Sequence, residues 1–292
     1  MRTSAIWPSA ARARAIAFRH SARSRRSVRP SAQIDALLTA APPAAVMESA
    51  NVSTPTMLLA DRAPAATSRQ RVEVVTDLLR AELDTYGGDL RALDLITYPE
   101  KLEAPDEPFR LLTDSGPDLY WVQNGLLGSQ SDLPNHHSEY TATNKRYVLA
   151  EGKDHIEVPL HFESDGVKYR KVYTFHRDSY YVDVRYEVQN NTNQEWRGYL
   201  YAQFVSTETS DDENTSFFGL GRLPSYTGGA IYTPDDKYKK IHFDDMREQP
   251  LARNTTSGWV AMLQHYFVGA LLAEKESQYE FYSLVNRTGA TP

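Results

Sequence analysis

The residues whose types could do chemistry are few, and their spacing does not assemble a reaction. Asn135-His136-His137 sets two histidines side by side. Adjacent strand residues point to opposite faces, and no carboxylate–histidine spacing of the metalloprotease kind accompanies them. A polar loop without a metal is the expected role. Asp211-Asp212-Glu213-Asn214 has the acidity of a calcium loop but lacks its glycine and terminal glutamate, so it reads as a solvated acidic loop. Gly219-Leu220-Gly221 is too short for a dinucleotide fingerprint and runs into Arg222-Leu223-Pro224. No Gly-x-Ser-x-Gly elbow is present, and there is no cysteine. That excludes thiol nucleophiles, cysteine zinc sites, iron–sulfur ligation and disulfides. The spacing offers no catalytic constellation, and no enzyme, cofactor or metal is expected.

The elements that would carry these residues are strands. Ile156, Val158, Leu160 and Phe162 alternate with Glu157 and His161, and Pro159 suggests an edge strand. Val182, Val184, Tyr186 and Val188 alternate with Asp183, Arg185 and Glu187, ahead of a turn at Asn190-Asn191-Thr192-Asn193. Trp196, Leu200, Ala202 and Phe204 share a face, while Tyr199 and Tyr201 give that strand a second apolar side. Tyr279, Phe281, Ser283 and Val285 form a further alternating row. Tyr86-Gly87-Gly88-Asp89 and Thr227-Gly228-Gly229 read as turns needing positive φ. Eighteen tyrosines and ten phenylalanines fit such a β-rich chain. Short strands separated by turn signals describe an antiparallel sandwich. Arg71 to Leu83 is ambiguous: Val75, Leu78, Leu79 and Glu82 suit a helix, Val72-Glu73-Val74 a strand.

The 292 residues can bury a substantial core, and 41% apolar with 24% charged residues is ordinary for a globular protein. Charge is distributed unevenly. Residues 1 to 34 hold eight arginines and no acid; removing that +8 from the net −6 leaves −14 on the rest. An acidic body argues against a nucleic-acid partner. The Arg-, Ala- and Ser-rich head reads as a transit peptide, a disordered basic arm or a mis-called start. The Ala- and Pro-rich stretch to about 67 reads as a linker. Residues 1–67 are therefore expected to be a disordered leader, and 68–292 the folded unit. The most apolar window, Trp259 to Ala273, is too short to span a bilayer and carries Gln264 and His265.

The order of several segments is more telling than any motif. Asp84-Thr85-Tyr86-Gly87-Gly88-Asp89-Leu90, Phe109-Arg110-Leu111-Leu112 and Tyr147-Val148-Leu149-Ala150-Glu151-Gly152 resemble the large periplasmic domain of the YidC membrane protein insertases. So do Tyr173-Thr174-Phe175-His176-Arg177 with Tyr181-Val182-Asp183-Val184, Tyr232-Thr233-Pro234-Asp235-Asp236-Lys237-Tyr238, and Gly258 to Phe267. The likeness covers about 67 to 292 in the right order.

That resemblance implies a mainly β fold, a two-sheet antiparallel β-super-sandwich similar to the galactose mutarotase-like fold, and an extended conformation for Arg71 to Leu83. It implies a role in inserting, folding and assembling inner-membrane proteins, with Sec translocon components and nascent membrane proteins as partners and no cofactor or covalent reaction. The location it implies is the inner membrane, with this domain on the periplasmic side. The family carries a transmembrane anchor and a helical bundle that are not found here, so the chain reads as truncated and the domain as C-terminally incomplete, with an unpaired sheet edge. A surface aromatic cluster is the expected partner-binding site: Phe217, Phe218, Tyr226 and Tyr232, set among glycines. The alternative is a carbohydrate-binding or aldose-epimerase-like sandwich, using one of His161, His176 or His242 with a carboxylate as acid and base.

Overall fold

The computed structural model describes residues 14–24, 70–101, 103–128, 132–194, 196–207, 226–264, 267–273 and 278–285. Its strands are β1 (Arg14–Ser24), β2 (Arg71–Val75), β3 (Leu79–Asp84), β4 (Leu90–Lys101), β5 (Ala104–Leu112), β6 (Tyr120–Gly128), β7 (Thr141–Ala142), β8 (Arg146–Val148) and β9 (His155–Ser164). They continue with β10 (Val167–His176), β11 (Tyr181–Asn190), β12 (Gly198–Ser206), β13 (Gly228–Thr233) and β14 (Lys237–Ile241). A short helix α1 (Phe243–Glu248) precedes β15 (Ala252–Thr255), β16 (Trp259–Gln264), β17 (Phe267–Leu272) and β18 (Tyr279–Tyr282).

One sheet runs β14-β13-β16-β17-β1-β11-β10-β9-β7; the other runs β12-β6-β4-β3-β2-β8, with β5 paired to β4. The small β15–β18 pair completes the set. Most pairings are antiparallel, as expected, and the exceptions are β1 with both its neighbours and β2 with β8. Two apolar faces meet between the large sheets. Val72, Leu83, Leu93 and Val122 come from one, Val158, Tyr173, Phe175, Val182 and Val184 from the other, in a single buried cluster. This is the sandwich that the alternation required: every second residue of β11 is buried and its neighbours are not.

Local readings resolve within this frame. Arg71 to Leu83 is a β-hairpin, as the family resemblance required and the pattern alone did not. Its turn side chain Thr76 accepts from the N–H groups of Leu78 and Leu79. The apolar window at 259–273 is the β16–β17 hairpin, and no helix among the described residues is long and apolar enough to cross a membrane. Pro159 sits on β9, whose outer side pairs, among the described residues, with the two residues of β7. Both sides of β12 are covered, with Leu200, Tyr201 and Ala202 all buried. A satellite core of Leu126, Tyr169, Tyr186 and Leu200 is sealed by Trp196, whose indole N–H donates to Tyr169 Oη at 3.0 Å.

The expected disordered leader needs correction at one segment. Arg14–Ser24 is a strand lying between β11 and β17 and parallel to both. Its backbone N–H and C=O groups find partners on two sides, which a charge-and-composition reading has no means of seeing. The remainder of 1–67 lies outside the described residues.

Candidate partner surface and buried ionic centre

The expected aromatic site divides in three. Phe217 and Phe218 lie outside the described residues. Tyr226 is half-buried, and its hydroxyl donates to Gly229 O at 2.8 Å or Ile241 O at 2.9 Å. Its ring meets His242 edge-on at 4.9 Å and takes the Lys240 ammonium 4.4 Å from its centroid. Tyr226 therefore braces the β13–β14 hairpin while part of its side chain stays exposed. Tyr232 is 37% exposed. It stacks on Trp259 of β16 at 6.1 Å and 18°. Tyr238 of β14, 41% exposed, has its ring centroid 6.1 Å from the same indole. Register explains the trio: Tyr232 stands opposite Tyr238 on one side and opposite Trp259 on the other. Sequence reasoning missed Tyr238 and Trp259 as partners of Tyr232, because they converge only through strand pairing. Lys237, Lys239 and Lys240, all exposed, give the β14 edge a positive charge. The patch joins flat amphipathic rings with cations, a composition suited to contact with a partner.

A second cluster was not foreseen. Lys171 of β10 is 0% exposed and donates to Gly87 O at 3.0 Å and Asn124 O at 3.1 Å. Its ammonium lies 5.3 to 5.7 Å from the ring centroids of Tyr140, Tyr173 and Tyr186. Asp89, equally buried, accepts from Arg91 Nη2 at 2.9 Å and Gln123 Nε2 at 3.1 Å. Burial pushes the Asp89 carboxyl up to about 6, against the pull of Lys171 and Arg91. Burial likewise pulls Lys171 down to about 7, although Asp89 attracts its proton. His136, also buried, hydrogen-bonds through Nδ1 to the Tyr201 hydroxyl. Desolvation, with the charges of His137, Lys171 and Arg91, brings it down to about 3.

This centre holds the Gly87-Gly88 turn. Gly87 and Gly88 take φ of +77° and +59°, and Tyr173 donates to Gly88 O at 2.6 Å. A Cβ on Gly87 would lie 2.6 Å from His136 O. The signal for Lys171 was present in the sequence as one cation in the apolar row Val167, Tyr169, Tyr173, Phe175. The three histidines named for an acid–base role do not converge. His161 is exposed on β9, and His242 precedes α1. His176 pairs with Asp183 at 2.7 Å on the sheet face away from the core. Among the described residues no group of three or more His, Asp or Glu side chains could hold a metal ion.

The profile of the YidC periplasmic domain family matches residues 71–291. The chain is 41% identical over 223 residues to the membrane protein insertase YidC of Methylococcus capsulatus, covering 76% of this chain and 40% of that protein. It is 39% identical to the Alkalilimnicola ehrlichii protein of the same name, over 73% of this chain and 37% of that one. Against the Methylobacillus flagellatus insertase it is 40% identical, over 82% of this chain and 42% of the relative. The chain thus spans about 40% of the length of these relatives. With the family profile running from β2 past β18 and insertases 39–41% identical over most of the chain, the chain belongs to the YidC periplasmic domain family.

Proposed function

We propose that this domain serves a membrane protein insertase from the periplasmic side of the inner membrane, where it assists the insertion, folding and assembly of integral membrane proteins. The observation that carries the reading is the continuous likeness to insertases across 71–291. The domain acts by contact, beside the Sec translocon and nascent membrane proteins, and without covalent catalysis. Its contact surface is the exposed end of the first sheet, where Tyr232, Tyr238 and Trp259 present their rings beside the lysines of β14. Phe217 and Phe218, which lie outside the described residues, stay in the candidate partner-binding set on their sequence alone. Aromatic rings that are already stacked lose little side-chain freedom on binding, which favours them as anchors.

The test is made in a full-length insertase carrying this domain. Tyr232→Ala with Tyr238→Ala should lower co-purification of Sec components while leaving the melting temperature within about 2 °C, the scale of an exposed substitution. Unchanged co-purification with unchanged stability would discard this surface as an interface.

A further inference from the structure

The first sheet is continuous only because a distant segment completes it. β11 is paired to β10 along one edge, and β17 to β16 along one edge. The two remaining edges face each other, parallel and one strand apart, and β1 fills the space between them. Every other neighbour pair in that sheet except β9–β7 joins successive strands through a hairpin or links β13 to β16 across α1 and β15. β1 alone enters without a local connection, 46 residues ahead of β2, which belongs to the opposite sheet. An open pair of edges is a template for any extended chain of suitable pattern.

The slot states what that pattern is. Val182, Val184, Tyr186 and Val188 line one face of β11, and all are buried. Asp183 and Glu187 lie on its other face, half-exposed. In register, Phe18 stands at Val182, His20 at Val184 and Ala22 at Tyr186, while Arg19 stands at Asp183 and Arg23 at Glu187. On the opposite edge, Ala17 stands at Ala270 and Phe18 at Leu271. By register alone, two basic positions of β1 fall opposite two acidic positions of β11, with Ser21 opposite Arg185 between them; on the β11 side Asp183 also pairs with His176, and Glu187 with Arg170 and Arg185.

We infer that the β11–β17 slot is a strand-acceptor site for an extended polypeptide segment in which apolar and basic residues alternate, bound parallel to both edges. Arg14–Ser24 is its resident and exchangeable occupant. The inference rests on sheet topology and register, not on the insertase reading. Held on a long connection, the resident segment competes as an intramolecular ligand, so cutting the connection opens the site to a segment in trans.

The experiment uses the full chain with a protease site placed in the stretch 40–50 and cut after folding. A fluorescent peptide of residues 12–26 should then exchange into the cut chain, with saturable binding by anisotropy. The Arg19→Glu/Arg23→Glu peptide should bind about tenfold more weakly, since each exposed cross-strand charge pair is modest but reversal makes it repulsive. A Phe18→Pro peptide should show no binding, because it loses a ladder N–H in a strand paired on both sides. No exchange, or equal binding by all three peptides, overturns the inference. Register is checked in the uncut chain, which has no native cysteine. Neighbouring Cα atoms about 4.8 Å apart are within disulfide reach. Arg19→Cys/Asp183→Cys should therefore cross-link on oxidation, within one chain or between two, and Arg19→Cys/Gln189→Cys should not. Failure of the first pair, or equal yields, removes the slot's occupant and the inference with it.

Discussion

Asp89 should matter more than Lys171, although both are buried in one cluster. Asp89→Asn leaves the buried Arg91 guanidinium without its carboxylate partner and removes the charge that favours the protonated form of Lys171, whereas Lys171→Met leaves the Asp89–Arg91 pair at 2.9 Å intact. Breaking a buried pair by removing one partner costs roughly 3–5 kcal/mol. That range applies to Asp89→Asn. For Lys171→Met the loss is the unpaired Gly87 carbonyl and one donor fewer at Asn124 O, about 1–3 kcal/mol in all. The pH dependence gives a second handle. Lys171 falls from 10.5 to about 7 in the folded state. The unfolded chain therefore binds more protons between pH 7 and 10.5, and stability rises with pH across that window, by up to about 5 kcal/mol. Lys171→Met should abolish that rise. Urea unfolding of the wild type, both single variants and the double variant at pH 7 and pH 9.5, with unchanged m-values, makes the comparison. The double variant should differ from the two single losses added, because Asp89 is the charge that favours protonated Lys171 and the two sites are therefore coupled. If Lys171→Met proves the more damaging, or if wild type and Lys171→Met share one slope above pH 7, this account of the centre is wrong.

Other consequences are checked by similar means. His136 is brought down to about 3, so the folded state stays neutral where the unfolded chain protonates. Stability should accordingly fall as pH drops from 6.5 towards 3, and a chemical-denaturation series on His136→Asn should lose up to about 1.4 kcal/mol per pH unit of that slope. Gly87→Ala and Gly152→Ala both place a Cβ at positive φ, but only Gly87 meets an obstruction, His136 O at 2.6 Å. Thermal melts should show a cost of about 1–2 kcal/mol at Gly152 and distinctly more at Gly87; equal losses would mean the turn relaxes freely. Phe175→Ala, at the centre of the inter-sheet core, should lower unfolding free energy by about 3–5 kcal/mol in urea titrations.

Much of this architecture could be read directly along the chain. The rows Val182-Val184-Tyr186-Val188 and Tyr279-Phe281 are buried as their period of two required, and Tyr86-Gly87-Gly88-Asp89 forms the turn its glycines announced. Period, turn chemistry and composition are local properties, carried by neighbouring residues whatever the rest of the chain does. The family likeness adds order along the sequence and so settled the hairpin at Arg71 to Leu83, where periodicity alone was balanced between helix and strand.

What lay beyond reach depended on partners distant in sequence. Lys171 stands in an apolar row, but what surrounds it is set by Gly87 and Asn124, 84 and 47 residues away, whose carbonyls accept its two hydrogen bonds, and by three tyrosines. The bracing role of Tyr226 was out of reach for the same reason, because Ile241 O comes within reach of its hydroxyl only when β13 pairs with β14. Arg14–Ser24 carried the signature of a disordered leader, yet it completes a sheet whose two open edges are formed by strands more than 150 residues downstream. Amino-acid type and spacing decide how a segment is built locally. Which face is buried, which charge is desolvated and which edge is left open are decided when the strands pair and the two sheets close on each other.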